Sequence, residues 1–246
     1  MLERLGLRWK GSRQHVHSPD PNYLAKQAEI ARLVAEVERS DGQSQLFYLD
    51  EVTIYRQPTL AHAWEEKGQS QAKAERSHQA DTLTRIVAAL NHQTGQVVYL
   101  RSTRIGVAQL VEFYQKLRKI YPQAKSLYVV QDNWPVHFHP DLLVALENQS
   151  TPFGLKVPPN WPTKPSGAAL KKWGALHLPI QLVLLPTYAS WLNPIEKLGR
   201  YLKQEVVHLH PLANDLAKLR AELDRFLDRF VLGSNLLLRY VGLFTD

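Results

Sequence analysis

Three carboxylates occupy distinctive places in this 246-residue chain. Asp50 lies within the apolar run LFYLDEVTIY, Asp132 follows the run LYVVQ, and Glu196 lies in LNPIEKL, where a strand-like segment gives way to a helix-like one. Carboxylates on separate elements of one domain suit a hard divalent cation, which takes oxygen ligands and keeps positions open for water and phosphate. The three residues therefore predict a metal-dependent nuclease or transferase.

Each carboxylate also has a local explanation. Asp50 could be paired with an arginine, or its strand could lie at the edge of a sheet, because a buried unpaired charge is strongly unfavourable. Asp132 could form an Asx turn with the residues that follow it. Glu196 could complete a capping box in which Asn193 is the N-cap and Pro194 opens the helix. No single carboxylate is decisive, and only their combination favours a shared site.

Strand periodicity separates Asp50 from its neighbour. Strict alternation places Tyr48 and Asp50 on one face of the strand, and Leu49 and Glu51 on the other. Asp50 and Glu51 are therefore not expected to serve the same site.

The elements that would position these residues alternate between strand and helix. Such alternation predicts an α/β protein with a mixed sheet and helices on its faces. Apolar periodicity and turn residues place the elements as follows: helix 23–39, strand 46–55, a hairpin of strands 83–91 and 96–101, helix 106–121, strand 126–131, helix 140–148, strand 181–185, helix 194–208 and helix 211–230.

Two segments stand apart from this pattern. Residues 1–41 comprise a basic N-terminal segment and a linker helix, and residues 42–246 form the expected catalytic domain. Within that domain the proline-rich stretch at about 150–180 is expected to be an insertion before the last strand. Loops of such length are usually functional or mobile, so the insertion is a candidate contact region.

Composition narrows the class of partner. The formal net charge of +7 and the pI near 9.5 favour a polyanion, and nucleic acid is the expected one. The chain has no cysteine, which excludes disulfides and thiolate metal sites. No apolar run is long enough to span a membrane, so no membrane partner is expected and the predicted location is cytoplasmic.

Longer motifs connect the three carboxylates to a known family. The string VVQDN is followed by His137, and LPTYASWLNPIEKLGRYLK contains Glu196. With Asp50 in an earlier strand, these strings resemble the DDE transposases of the mariner-like insertion-sequence superfamily, over roughly residues 18–243. The resemblance implies an RNase H-like mixed five-stranded sheet flanked by helices, with Asp50, Asp132 and Glu196 as the catalytic, metal-binding triad.

The resemblance also implies a reaction and its partners. Two Mg²⁺ or Mn²⁺ ions would support cleavage at transposon ends and strand transfer into target DNA at TA dinucleotides. Asn133, His137 and Asn193 would position the carboxylates or the substrate. The active complex would be a homodimer, and a separate helix-turn-helix polypeptide could supply the recognition of transposon ends.

The chain departs from the family pattern in two respects. Family members carry an N-terminal helix-turn-helix region, of which the basic segment Met1–Arg13 would be a remnant. Gly199 stands where relatives usually have a bulky aromatic residue, which weakens the helix of Glu196 and favours a decayed copy. Two alternatives therefore remain: a catalytically decayed or truncated transposase that acts only as a DNA-binding protein, and another RNase H-like nuclease.

Overall fold

A mixed five-stranded sheet forms the centre of the protein in the computed structural model, which describes residues 17–79, 82–147 and 156–244. The strands are β1 (Ser44–Tyr55), β2 (Leu83–Asn91), β3 (Val97–Ser102), β4 (Ser126–Gln131) and β5 (Ile180–Leu184). Strand β2 pairs antiparallel with β1 and β3, while β4 runs parallel to β1 and β5, which gives the spatial order β3-β2-β1-β4-β5. The predicted sheet is confirmed.

Helices cover both faces of the sheet. On one face Leu46 and Tyr48 of β1 belong to a core that also contains Leu198 and Leu223, and on the other face Phe47 packs among residues of a second core. Period-two alternation along β1 thus separates the two cores, as predicted. The helices are α1 (Tyr23–Arg39), α2 (Val107–Ile120), α3 (Pro140–Leu143), α4 (Gly167–Trp173), α5 (Ile195–Leu202), α6 (Leu216–Asp228) and α7 (Asn235–Val241).

Several helices are shorter than their apolar patterns predicted. After α3 the chain forms tight turns, in which the amides of Ala145 and Leu146 donate to carbonyls three residues earlier. Leu146 then forms an isolated β-bridge with Leu178. The helix of Glu196 ends at Leu202 and continues as a π-helical turn. Helix α6 starts only after Asp215, whose side chain caps it. Tertiary pairing and capping therefore override the periodic signal.

The predicted insertion lies between α3 and β5, and its later part contains α4, capped by Ser166. The basic segment Met1–Arg13 and residues 148–155 of the insertion lie outside the described residues. The linker helix α1 packs on the sheet through Leu33 and Val37. Within the described ranges, no helix has the length and apolar character needed to cross a bilayer.

Candidate active site

Asp50 lies on the central strand of the sheet. β1 is flanked by β2 and β4, and Asp50 stands opposite Ala88 of β2. Its carboxylate accepts a 2.8 Å hydrogen bond from the amide of Glu51. Among the described residues no lysine or arginine forms an ion pair with Asp50, so neither an edge position nor a salt bridge explains it.

Asp132 lies just beyond the end of β4, where it combines a local and a cleft-facing role. Its Oδ1 accepts a 2.9 Å hydrogen bond from the amide of Trp134, which is the Asx turn that the sequence allowed. The side chain nevertheless remains 61% exposed. Because the turn occupies only Oδ1, the second oxygen remains available for a ligand.

Glu196 lies in the first turn of α5, but the expected capping box does not form. Pro194 occupies the N-cap position and no side chain caps the helix. Asn193 instead donates its amide to the carbonyl of Leu49 on β1, 3.0 Å away. The local explanation for Glu196 was therefore wrong, since the side chain of Asn193 is held toward β1 by this long-range bond and its oxygen caps no amide of α5.

The three carboxylates line one cleft of about 730 Å³. They come from the middle of β1, the end of β4 and the start of α5. In the described part of the chain, however, no three histidine, aspartate or glutamate side chains converge closely enough to enclose a metal ion. The structure thus brings Asp50, Asp132 and Glu196 to a common cleft without a preformed cage, and their catalytic role stays a prediction.

Burial and neighbouring negative charges act together on Asp50 in this cleft. Burial raises the pKa of Asp50 to about 7, and the negative charges of Glu196, Glu51 and Asp132 act in the same direction. The amide hydrogen bond from Glu51 opposes the increase. Ionised Asp50 is consequently unfavourable unless a cation enters the cleft.

The donor set fits a hard divalent cation. All three candidate ligands are carboxylates, which Mg²⁺ and Mn²⁺ prefer. Lys26 also lines the cleft, but its ammonium group is engaged by Asp20, at 2.9 Å. Among the described residues no salt bridge neutralises Asp50 or Glu196, so the acidic cleft has the charge that a divalent cation would balance.

The three residues predicted to act as positioning groups all adjoin the cleft. Asn133 donates to the carbonyl of Leu185, at 3.0 Å, and to Thr187 Oγ1, at 3.4 Å, which joins the end of β4 to the segment after β5. Asn193 fastens α5 to β1, and His137 is fully buried behind Asp132. These contacts shape the protein side of the cleft.

An ion pair that the sequence did not reveal supports one wall of the cleft. The side chains of Asp20 and Lys26 are each only 4% exposed, and Lys26 also donates to the carbonyl of Leu185, at 3.3 Å. Asp20 accepts from the amide and hydroxyl of Thr187, at 2.8 and 3.2 Å. The sequence indicated only that SPDPN could start a helix, because nothing local identifies Thr187 as the partner.

Gly199 lines a small cavity, which shares the residue Asp50 with the cleft. A Cβ built on Gly199 would meet no atom within 4 Å, and a cavity of about 30 Å³ lies among Gly199, Asp50 and Leu202. The sequence-based expectation of lost packing next to Glu196 is consistent with this space.

Comparisons with known proteins agree on the type of fold. The family model described as DDE superfamily endonuclease matches residues 45–220. The insertion element IS630 uncharacterized 39 kDa protein of Shigella sonnei is 22% identical over 209 residues, which are 85% of this chain and 51% of that protein. This chain therefore spans about half the length of the curated relative it matches.

Solved structures with the same architecture include those of the Mos1 mariner transposase. The Mos1 mariner paired end complex with Mn matches with a TM-score of 0.58 and 14% identity, covering 98% of this chain and 64% of that chain. The Mos1 paired-end complex with the left transposon end matches with a TM-score of 0.56, at the same identity and coverage. The predicted RNase H-like fold and the family resemblance are confirmed.

Proposed function

The chain belongs to the DDE superfamily of endonucleases, and on that premise we propose that it is the catalytic part of a transposase. It would cut DNA at the ends of an insertion element and join those ends to target DNA. The observation that carries this proposal is the cleft shared by Asp50, Asp132 and Glu196, in which no lysine or arginine among the described residues forms an ion pair with any of the three carboxylates.

Two Mg²⁺ or Mn²⁺ ions, held by the three carboxylates, would act as Lewis acids and would activate a water molecule or a 3′-hydroxyl group. The contribution of the protein is to hold the ligands. Asn193 fixes the start of α5 against β1, and Asn133 fixes the end of β4 against the segment after β5. Ligands that are positioned by such hydrogen bonds need little rearrangement when the phosphate enters.

Both the net charge and the fold of the chain support nucleic acid as the proposed substrate. The chain carries a formal net charge of +7, and the matched Mos1 structures include complexes named for transposon ends and for strand transfer. We extend to this chain a homodimer in the active complex, TA target sites and end recognition by a helix-turn-helix region on a separate polypeptide. Contacts to phosphates would make DNA affinity fall steeply with salt.

Nicking of supercoiled plasmid in the presence of Mn²⁺ tests the proposal. Asp132→Ala should abolish nicking and retain the wild-type circular dichroism spectrum, whereas the control Glu65→Ala, at an exposed loop residue, should nick normally. Undiminished nicking by Asp132→Ala would contradict the assignment. Salt-sensitive DNA binding by a wild-type chain that never nicks would instead indicate a DNA-binding protein that has lost catalysis.

Plasmid, four-way junction and RNA:DNA hybrid substrates separate the remaining alternative. A transposase should need duplex DNA that contains its element ends for strand transfer. Preferential cleavage of junctions or hybrids would assign the chain to another class of RNase H-like nuclease.

A further inference from the structure

Glu51 and His137 form an unassigned polar cluster behind the candidate active site. Glu51 Oε1 lies 3.5 Å from His137 Nε2, and Asp132 Oδ1 lies 3.6 Å from the same nitrogen. A single imidazole nitrogen is thus placed between two carboxylates, one on β1 and one beyond the end of the neighbouring strand β4.

Burial gives this cluster its significance. His137 is fully buried, and neither of its ring nitrogens has a hydrogen-bond partner within hydrogen-bonding distance in the described structure. Glu51 Oε1 is likewise buried without such a partner. Buried polar atoms are nearly always satisfied, because an unsatisfied one is unfavourable by about 1–3 kcal/mol. The closest polar groups shown for the imidazole are these same two carboxylates.

We propose that Glu51 and His137 are positioning residues that orient the carboxylate of Asp132 for metal binding. The single Nε2–H of His137 lies between Asp132 Oδ1 and Glu51 Oε1 and is shared by them, so Glu51 holds the imidazole in the Nε2-protonated tautomer and in the orientation that lets this N–H reach Asp132. The inference rests on the proposed function and deepens the role of the same cleft.

A second contact of Asp132 supports the proposal that its carboxylate is held in one orientation. The amide of Trp134 also donates to Oδ1, at 2.9 Å, and the Trp134 ring packs edge-on against the imidazole with a centroid distance of 5.3 Å. Both polar contacts act on one oxygen, so Oδ2 is the oxygen presented to a cation. The distances of 3.5 and 3.6 Å need to shorten by only about 0.5 Å to become hydrogen bonds.

This arrangement changes the role expected for Glu51. Strand alternation correctly puts Glu51 on the face opposite Asp50, which suggested that it could not serve the same site. His137 bridges that separation, because it lies beside the end of β4 and reaches both carboxylates. Glu51 therefore acts on the cleft indirectly, through the imidazole and Asp132.

Mn²⁺ binding to the metal-free full chain, without DNA, is the primary test. The free-Mn²⁺ signal in electron paramagnetic resonance measures the dissociation constant, which should rise about tenfold in Glu51→Gln and in His137→Gln. Both residues act on Asp132 through the same contact. The double variant should therefore bind Mn²⁺ no more weakly than the single variant with the lower affinity. Glu38→Gln is the matched control, since Glu38 Oε1 lies 4.0 Å from His92 Nε2 away from the cleft, and it should bind normally.

A purely structural role predicts different results. It would lower the melting temperature without changing Mn²⁺ affinity, whereas a positioning role should raise the Mn²⁺ concentration for half-maximal nicking and leave the KM for DNA unchanged. A folded Glu51→Gln protein that binds Mn²⁺ within about twofold of wild type, or losses that multiply in the double variant, would overturn the inference.

A measurement independent of metal keeps the test decisive. The ¹⁵N shift of His137 Nε2 should move in Glu51→Gln even if His137→Gln fails to fold, and an unchanged shift would contradict the proposal. A wild-type chain that neither binds Mn²⁺ nor nicks DNA contradicts the proposed function instead. The nitrogen shift then still decides whether Glu51 engages the imidazole.

Discussion

Asn193 donates its side-chain amide to the carbonyl of Leu49 across 3.0 Å, although 144 positions separate the two residues along the chain. Asn193 is buried, and Leu49 directly precedes Asp50. This one bond therefore connects the start of the Glu196 helix to the strand of Asp50. The relative placement of two candidate metal ligands depends on it.

Replacement of Asn193 by alanine should damage both stability and activity. The carbonyl of Leu49 would lose its side-chain donor, and we expect a loss of about 1–3 kcal/mol in the free energy of unfolding. Displacement of Glu196 should also lower the rate of Mn²⁺-dependent nicking by more than about tenfold. Urea unfolding and plasmid nicking measure the two effects.

Asn235→Ala, at an exposed residue of α7, is the control and should change neither quantity. Wild-type nicking by folded Asn193→Ala would show that the bond does not set the position of Glu196.

Asn193 also shows where sequence reasoning reaches its limit. The alternation around Asp50 was predictable because a strand has a fixed period of two and its apolar residues mark both faces. An asparagine before proline fits a helix cap equally well, and only the folded chain shows that its amide reaches Leu49. Local patterns placed the elements, whereas the orientation of the Asn193 side chain toward β1 required the tertiary structure.

Asp50→Asn should stabilise the metal-free protein at alkaline pH. The pKa of Asp50 is raised from 3.8 to about 7 by burial and neighbouring negative charges, so the folded state retains a proton that the unfolded state releases. Wild-type stability should consequently fall between about pH 4 and 7, and the variant should escape this loss. The expected gain is near zero at pH 4 and on the order of 2–4 kcal/mol at pH 8.

Thermal denaturation in EDTA across this pH range measures the gain. Saturating Mn²⁺ should make wild type more stable than Asp50→Asn at pH 8, because a cation that binds the wild-type carboxylate stabilises the folded state by mass action. An equal stability difference at pH 4 and pH 8 in EDTA would rule out ionisation of Asp50 as the cause.

Gly199→Ala should increase stability. Gly199 lies inside α5, and an added Cβ meets no atom within 4 Å. Alanine should therefore improve helix propensity without a clash, by about 0.5–1 kcal/mol. Chemical denaturation measures this change. Gly95→Ala is the opposite control, since Gly95 has a φ of +67° and its Cβ would lie 2.4 Å from Ser234 O, which should destabilise the protein.

If Gly199→Ala were less stable than wild type, the prediction would be wrong, and the added methyl group would displace a group that occupies the space beside Asp50.

Lys26→Met should be strongly destabilising at neutral pH. The substitution leaves the Asp20 carboxylate buried without its cation, and breaking a buried pair in this way costs about 3 kcal/mol. Arg32→Met removes exposed pairs with Glu29 and Glu36 on the same helix and should change stability by less than about 0.5 kcal/mol. Urea unfolding of the three proteins at pH 7 makes the comparison.

The effect should also depend on pH. Burial alone would raise the pKa of Asp20, but hydrogen bonds from Lys26 and from the amides of Thr187 and Asn22, with the charge of Lys26, lower it to about 2. The stabilisation should therefore be complete above about pH 4 and disappear as the pH falls toward 2. A difference between wild type and Lys26→Met that stays constant over this range would contradict the ion-pair explanation.

The pairing of Asp20 with Lys26 was not predicted. The sequence indicated only that SPDPN could start a helix, and in the structure Asp20 precedes α1 while Lys26 lies in its first turn. Their burial against Leu185 and Thr187 was not predictable, because it depends on how α1 docks beside the end of β5.

The distribution of the cleft residues along the chain sets the order in which the cleft can form during synthesis. Asp50 is made early, but β4, β5 and Glu196 follow only after long intervening segments. Closing such long loops is slow, and central strand β1 must wait for β4 before its parallel edge is paired. A nascent chain therefore has no complete cleft until α5 has left the ribosome.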